Sequence, residues 1–131
     1  MIDYENYVFD AVYRKVSNLF AKGKFVSVYV PDPTGFPAGS LVELTNDTVR
    51  KRQSSTPIEN FVMVMYQLDV YATTKKEAKS LLSAVDDVMI GLGFTRTGGE
   101  FLDNVSNVNV FRYAARYEAE IDRDGNIYRP S

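Results

Sequence analysis

The sequence predicts an α+β fold: an antiparallel sheet with two helices packed on one face, in the order α-β-β-β-α-β-β. Three observations predict it. Two stretches, at the start and in the middle of the chain, space their apolar residues with a helical period. Two others, residues 61–72 and 108–121, alternate with period two, and the second is apolar on one face and charged on the other, as in an antiparallel sheet. The 131 residues, 45% apolar and 24% charged, suit one domain (1–131) with a core that needs no disulfide or metal.

The first helix is expected from Asp3 to Ala21. Tyr4, Val8, Ala11, Val12, Val16, Leu19 and Phe20 make one buried stripe. Asp3 is placed to cap the helix, and Gly23 to stop it. Phe25 to Val30 reads as a strand. Residues 31–39 hold three of the five prolines and can be neither helix nor central strand. A short strand follows from Leu41 to Thr45. Asn46 to Asn60 is expected to be a long polar loop, mobile in the free subunit between Thr48 and Asn60. It carries Arg50, Lys51 and Arg52 in a row.

Phe61 to Ala72 is the strongest strand. Its even positions, from Val62 to Ala72, are all apolar. Its odd positions begin apolar with Phe61, Met63 and Met65 and continue with Gln67, Asp69 and Tyr71. Half of the strand is therefore apolar on both sides, which calls for a second covering surface. Thr74 and Glu77 form a capping box for a helix carrying Ala78, Leu81, Leu82, Val85, Val88, Met89 and Leu92, ended by Gly93. Phe94 to Phe101 reads as a strand interrupted at Gly98-Gly99. In the last long strand, Phe111, Tyr113, Ala115, Tyr117, Ala119 and Ile121 are candidates for burial. Arg112, Arg116, Glu118, Glu120 and Asp122 are expected to face water. Asp124-Gly125 makes a turn, and 126–130 returns as an edge.

The chain contains no cysteine and no histidine. That excludes disulfide frameworks, thiolate zinc sites and cysteine nucleophiles, and removes the commonest general base. The formal charge of −2 gives no overall basic field for nucleic acid. Asp69, Glu118 and Glu120 could share a polar face as an acid/base set, but an exposed charge lattice with Arg112 and Arg116 explains them as well. Glu120, Asp122, Asp124 and Gly125 lie on the start of a calcium loop, yet a hairpin turn is the stronger reading. Gly91, Gly93, Gly98 and Gly99 follow a helix and make no phosphate cradle. Arg50, Lys51 and Arg52 read as a solvated loop, or as a charged arm that docks on a neighbouring subunit. No catalytic, cofactor or metal residue is assigned, and no enzymatic activity is expected.

Residues 60–72, the helix closed by Leu92-Gly93-Phe94-Thr95-Arg96-Thr97, and Tyr113 to Ile121 together resemble the tail-completion or tail-terminator proteins of long-tailed bacteriophages and prophages. Gly35-Phe36-Pro37 and the segment from Asn46 to Arg50 fit the same pattern. The resemblance covers about residues 25–122 and implies a subunit that assembles with itself, commonly into a hexameric ring. Such a ring caps the tail-tube protein and meets the head-side connector protein. It implies a virion location, assembly in the host bacterial cytoplasm, only transient contact with DNA in the lumen, and neither membrane nor cofactor. A head–tail connector subunit and a small nucleic-acid-binding module are the rival classes. Phe61, Met63 and Met65, with Arg50, Lys51 and Arg52, are the residues expected at a subunit or partner interface.

Overall fold

The computed structural model describes residues 1–30, 33–49, 61–102 and 109–129. Helix α1 spans Glu5–Val16 and tightens into a single 3-10 turn over Ser17–Leu19. It begins two residues later than expected, although the Asp3 carboxylate still accepts the Glu5 amide at 3.2 Å. Strand β1 is Phe25–Val26, β2 Ala38–Thr48 and β3 Phe61–Ala72. Helix α2 spans Lys75–Leu92, and strands β4 (Thr95–Leu102), β5 (Phe111–Asp122) and β6 (Ile127–Tyr128) complete the chain.

The sheet runs β1-β2-β3-β5-β4, with β6 pairing β5 beyond the end of β4. It is mixed rather than antiparallel, because β1 pairs β2 in parallel through Phe25–Gly39 and Val26–Ser40. Two hydrogen bonds tie this corner: Ala21 N–H donates to the Pro37 carbonyl (2.8 Å) and Gly39 N–H to the Lys24 carbonyl (2.9 Å). β1 is also short. The expected strand 25–30 leaves the sheet after Val26, and Val28 and Tyr29 stand exposed. β2 is longer than expected at both ends. The polarity of Asn46, Asp47 and Thr48 predicts a loop, but they pair with Val64, Met63 and Val62. Long-range pairing to an apolar strand overrides local composition there. Val49 N–H still donates to the Phe61 carbonyl (3.0 Å), and residues 50–60 of that loop, with Arg50, Lys51 and Arg52, lie outside the described residues.

One core cluster gathers Val8, Val12 and Val16 of α1, Leu81, Leu82, Val85 and Met89 of α2, the even positions of β3 and Ala115, Tyr117, Ala119 and Ile121 of β5. Thr74 Oγ1 accepts the Glu77 amide at 3.1 Å, and Gly93 closes α2 at φ +113°, in the left-handed region that glycine permits. Fully burying each valine, leucine, isoleucine or methionine of this cluster contributes roughly 1.5–3 kcal/mol. Two assignments on β5 change. Phe111 is 38% exposed, because it lies at the end of the strand. Glu120, read as wet, is only 3% exposed.

Candidate functional site

The register of the four long strands fixes the rows of the sheet face opposite the core cluster. From one end these rows are Ala38–Tyr71–Arg112–Leu102, Ser40–Asp69–Ala114–Glu100 and Val42–Gln67–Arg116–Gly98. Then follow Thr45–Met65–Glu118–Thr95 and Asp47–Met63–Glu120–Tyr128. Phe61 opposes Asp122 at the far end, with its ring 6.0 Å from that of Tyr128. The face thus divides into a polar, ion-paired end and an apolar end edged by carboxylates.

At the polar end Arg112 donates twice to Asp69 Oδ1, from Nε at 2.9 Å and Nη2 at 2.7 Å. Gln67 Nε2 donates to Asp69 Oδ2 at 3.0 Å. Both carboxylate oxygens are therefore satisfied, as a carboxylate exposed by only 1% must be. The guanidinium lies 5.4 Å from the ring centroid of Tyr29 and 5.8 Å from that of Tyr71. Burial disfavours the Arg112 charge, but the hydrogen bonds and attraction of Asp69 outweigh it and push the group up. The segment after β1, which left the sheet at Ser27, thus returns Tyr29 to cover this end. Next to it lies a cavity of about 180 Å³, whose walls include Lys24, Val26, Val30, Ser40 and Tyr71. That is below the ~300 Å³ at which ordinary small-molecule pockets begin. Lys24 Nζ is held at one wall by Thr34 Oγ1 (3.2 Å), and the buried Ser40 hydroxyl makes no hydrogen bond.

At the apolar end Phe61, Met63 and Met65 are each half-buried. Their cross-strand neighbours include Asp47, Glu118, Glu120 and Asp122. Asp122 anchors the following turn. Its carboxylate accepts the amides of Asp124 and Asn126 (2.9 Å each), the Asn126 side chain (3.0 Å) and the Tyr128 hydroxyl (3.1 Å). Slight burial works to raise this carboxyl, but these hydrogen bonds prevail and hold it below the ordinary carboxylate range. The Asp124-Gly125 region is accordingly a hairpin turn, with Gly125 at φ +87° under the Tyr4 ring. No group of three metal-ligating side chains occurs among the described residues.

Two polar pairs lie on the core side. The Tyr66 hydroxyl donates to Glu43 Oε1 at 3.4 Å. Burial, then the charges of Glu5 and Asp3, push the Glu43 carboxyl up to about 7, with the Tyr66 hydrogen bond opposing. The Tyr117 hydroxyl donates to Asp86 Oδ1 at 2.7 Å, and Arg96 Nε stands 3.5 Å from the same oxygen. Burial first, and Asp86 second, push the Tyr117 phenol up. Asp69, Glu118 and Glu120 do not converge, since they occupy three different rows and Asp69 is engaged by Arg112. The expected exposed charge lattice is therefore a buried ion pair at Arg112. Sequence reasoning missed Tyr29 and Glu43 as members of these clusters. The available signal was Asp69 itself, a lone carboxylate inside an apolar strand that required a buried cation.

No protein-family model matches the chain, and no curated protein matches it in sequence. Its fold is similar to that of a chain in the virion of a native gene transfer agent particle, with a TM-score of 0.54. The two are 18% identical, and the alignment covers 87% of this chain and 93% of the other. The similarity is one of fold and extends over nearly the whole of that virion chain. No helix among the described residues is long and apolar enough to cross a membrane.

Proposed function

We propose that the chain is a structural subunit of a phage-like particle, one that caps the tail tube as a ring and joins the tail to the head-side connector. The observation that carries this reading is the fold shared with almost the full length of a gene transfer agent virion chain. The resemblance of residues 25–122 to tail terminators points the same way. The acid-edged apolar end around Phe61, Met63 and Met65 suits a surface that meets a neighbouring subunit. It binds no cofactor and carries out no chemistry of its own in this reading. Its partners are further copies of itself (six in a ring), the tail-tube protein and the head-side connector, with DNA passing only transiently. The assembled protein belongs to the virion tail and is put together in the host cytoplasm.

Deleting the gene from a particle-producing strain tests this reading. Tails of uncontrolled length with few attached heads are expected. Tails of normal, uniform length with detached heads would favour the second reading, a neck connector, which the same fold similarity permits. Particles of normal length and infectivity would remove both.

A further inference from the structure

The sheet ends in two edges of similar length. β2 is paired on its outer side at Gly39 and Ser40, where β1 sits, and beyond them Leu41 to Asp47 have no strand beside them among the described residues. β4, eight residues long, pairs only β5 among the described residues, and its first six residues are exposed. Each edge offers a row of backbone donors and acceptors, the template for adding a strand. β2 is antiparallel to β3, β3 to β5, and β5 to β4, so β2 and β4 run in opposite directions. A second copy set beside the first with its sheet facing the same way therefore brings its β2 antiparallel to β4. We propose that copies of this chain assemble by pairing β4 of one with Leu41–Asp47 of β2 of the next, so that one sheet continues through the assembly.

The register follows from two constraints. Residues opposite one another in an antiparallel pair share a face. Leu102, Glu100 and Gly98 lie on the same face as Ser40, Val42, Thr45 and Asp47. Val26 already fills the position beside Ser40, so Leu102 first finds room opposite Val42. With Leu44 in the β2 bulge, Glu100 then opposes Thr45, and Gly98 opposes Asp47. Both bulges, at Glu43/Thr45 and Arg96/Gly98, leave ladder segments on either side. Within one subunit Leu102 shares a row with Ala38, so the contact staggers neighbours by the four residues from Ala38 to Val42. At ~3.3 Å per residue and ~4.8 Å per strand, over the four strands β2, β3, β5 and β4, this inclines the strands by roughly 35° to the assembly axis. Closed barrels have a similar tilt, and it lets a head-to-tail contact close. A contact of this kind uses both long edges of every copy, whereas pairing like edges would give isologous dimers.

This inference rests on the ring-forming reading above, and the experiment separates the two. The chain has no cysteine, so introduced thiols report only on the edges. Thr45→Cys, Glu100→Cys and the double variant are concentrated and treated with mild oxidant or a short bismaleimide. Directly opposed Cβ atoms at ~4.5–5.5 Å are within reach of either cross-link. A covalent ladder in the double variant is expected, with neither single variant linking to itself, together with a dimer when the two single variants are mixed. Electron microscopy of the same samples reads the assembly. A ladder on open filaments keeps the edge pairing and removes the ring. Closed rings without a ladder remove the edge pairing and keep the ring. Self-linked dimers of one single variant, or a chain that stays monomeric, overturn the inference.

Discussion

The Arg112 end of the outer sheet face and the Met63 end are built from the same two strands, yet they solve burial in opposite ways. At the Arg112 end a carboxylate, a guanidinium and two tyrosines interlock, and the chain covers them with its own residues around Tyr29. At the Met63 end, half-buried thioethers and a phenyl ring alternate across the strands with carboxylates. A polar cluster of the first kind has one satisfied geometry and tolerates no loose fit. Flexible methionines adapt to whatever is laid on them. The difference teaches that one end of the face is locked by ion pairing and rings, while the other is left to adaptable apolar side chains bordered by carboxylates.

The most damaging change should fall at the interlocked end. Asp69→Ala leaves Arg112 half-buried beside two rings without its partner, and should cost ~3–4 kcal/mol, the scale for breaking a buried pair. Urea unfolding measures it. Replacing both partners, Asp69→Leu with Arg112→Met, should recover most of that loss, since the penalty comes from the unpaired charge rather than from the missing bridge. A double variant as unstable as Asp69→Ala would mean that the aromatic stacking, and not the charge pairing, organises this end.

A smaller effect is expected at Glu43 and depends on pH. Its folded carboxyl titrates near 7, above its ordinary value of 4.5. Between those values the folded state holds the proton that the unfolded state has released, so stability falls as pH rises from about 4.5 to 7. Glu43→Gln removes the charge and keeps an acceptor for Tyr66. It should stabilise the protein by ~1 kcal/mol at pH 8, discounted for solvent screening, and hardly at all at pH 4. Thermal melts at the two values check the sign. An equal gain at both would show that packing, not the proton, is responsible.

The elements that were legible in the sequence are those whose neighbours are close in the chain or uniformly apolar. The even positions of β3, the Thr74 cap and the Gly93 stop carry their reasons locally. What stayed hidden depends on distant partners. Asn46, Asp47 and Thr48 look like loop because their strand character comes only from β3. Phe25 and Val26 look like the start of a longer antiparallel strand. Only the Gly39 and Ser40 edge makes them parallel and so short. Glu120 sits at a position whose alternation says water, and the third dimension buries it. The surroundings of the residues expected at an interface were half legible. The doubled apolar face of Phe61, Met63 and Met65 is visible in the sequence, while its border of acids from β2 and β5 needs the register.

The smallest expected change in stability, and the one that best separates the two ends, is Met63→Glu. Met63 is half-buried on the outer face between Asp47 and Glu120, outside the core cluster. Its even-numbered neighbours Val62 and Val64 hold the strand to the core. A third carboxylate in that row adds repulsion across the sheet, worth up to ~1 kcal/mol for directly opposed like charges. The isolated subunit should therefore fold and melt close to the unmodified protein. Assembly should respond far more strongly, because a contact laid over Met63 would have to desolvate the new charge without a partner. Light scattering of concentrated protein, compared with circular dichroism of the same sample, reads both effects. Lost assembly with an intact fold places Met63 in a contact between copies. Unchanged assembly would leave the apolar end for another partner, and a collapsed fold would make it as much a part of the structure as the Asp69–Arg112 end.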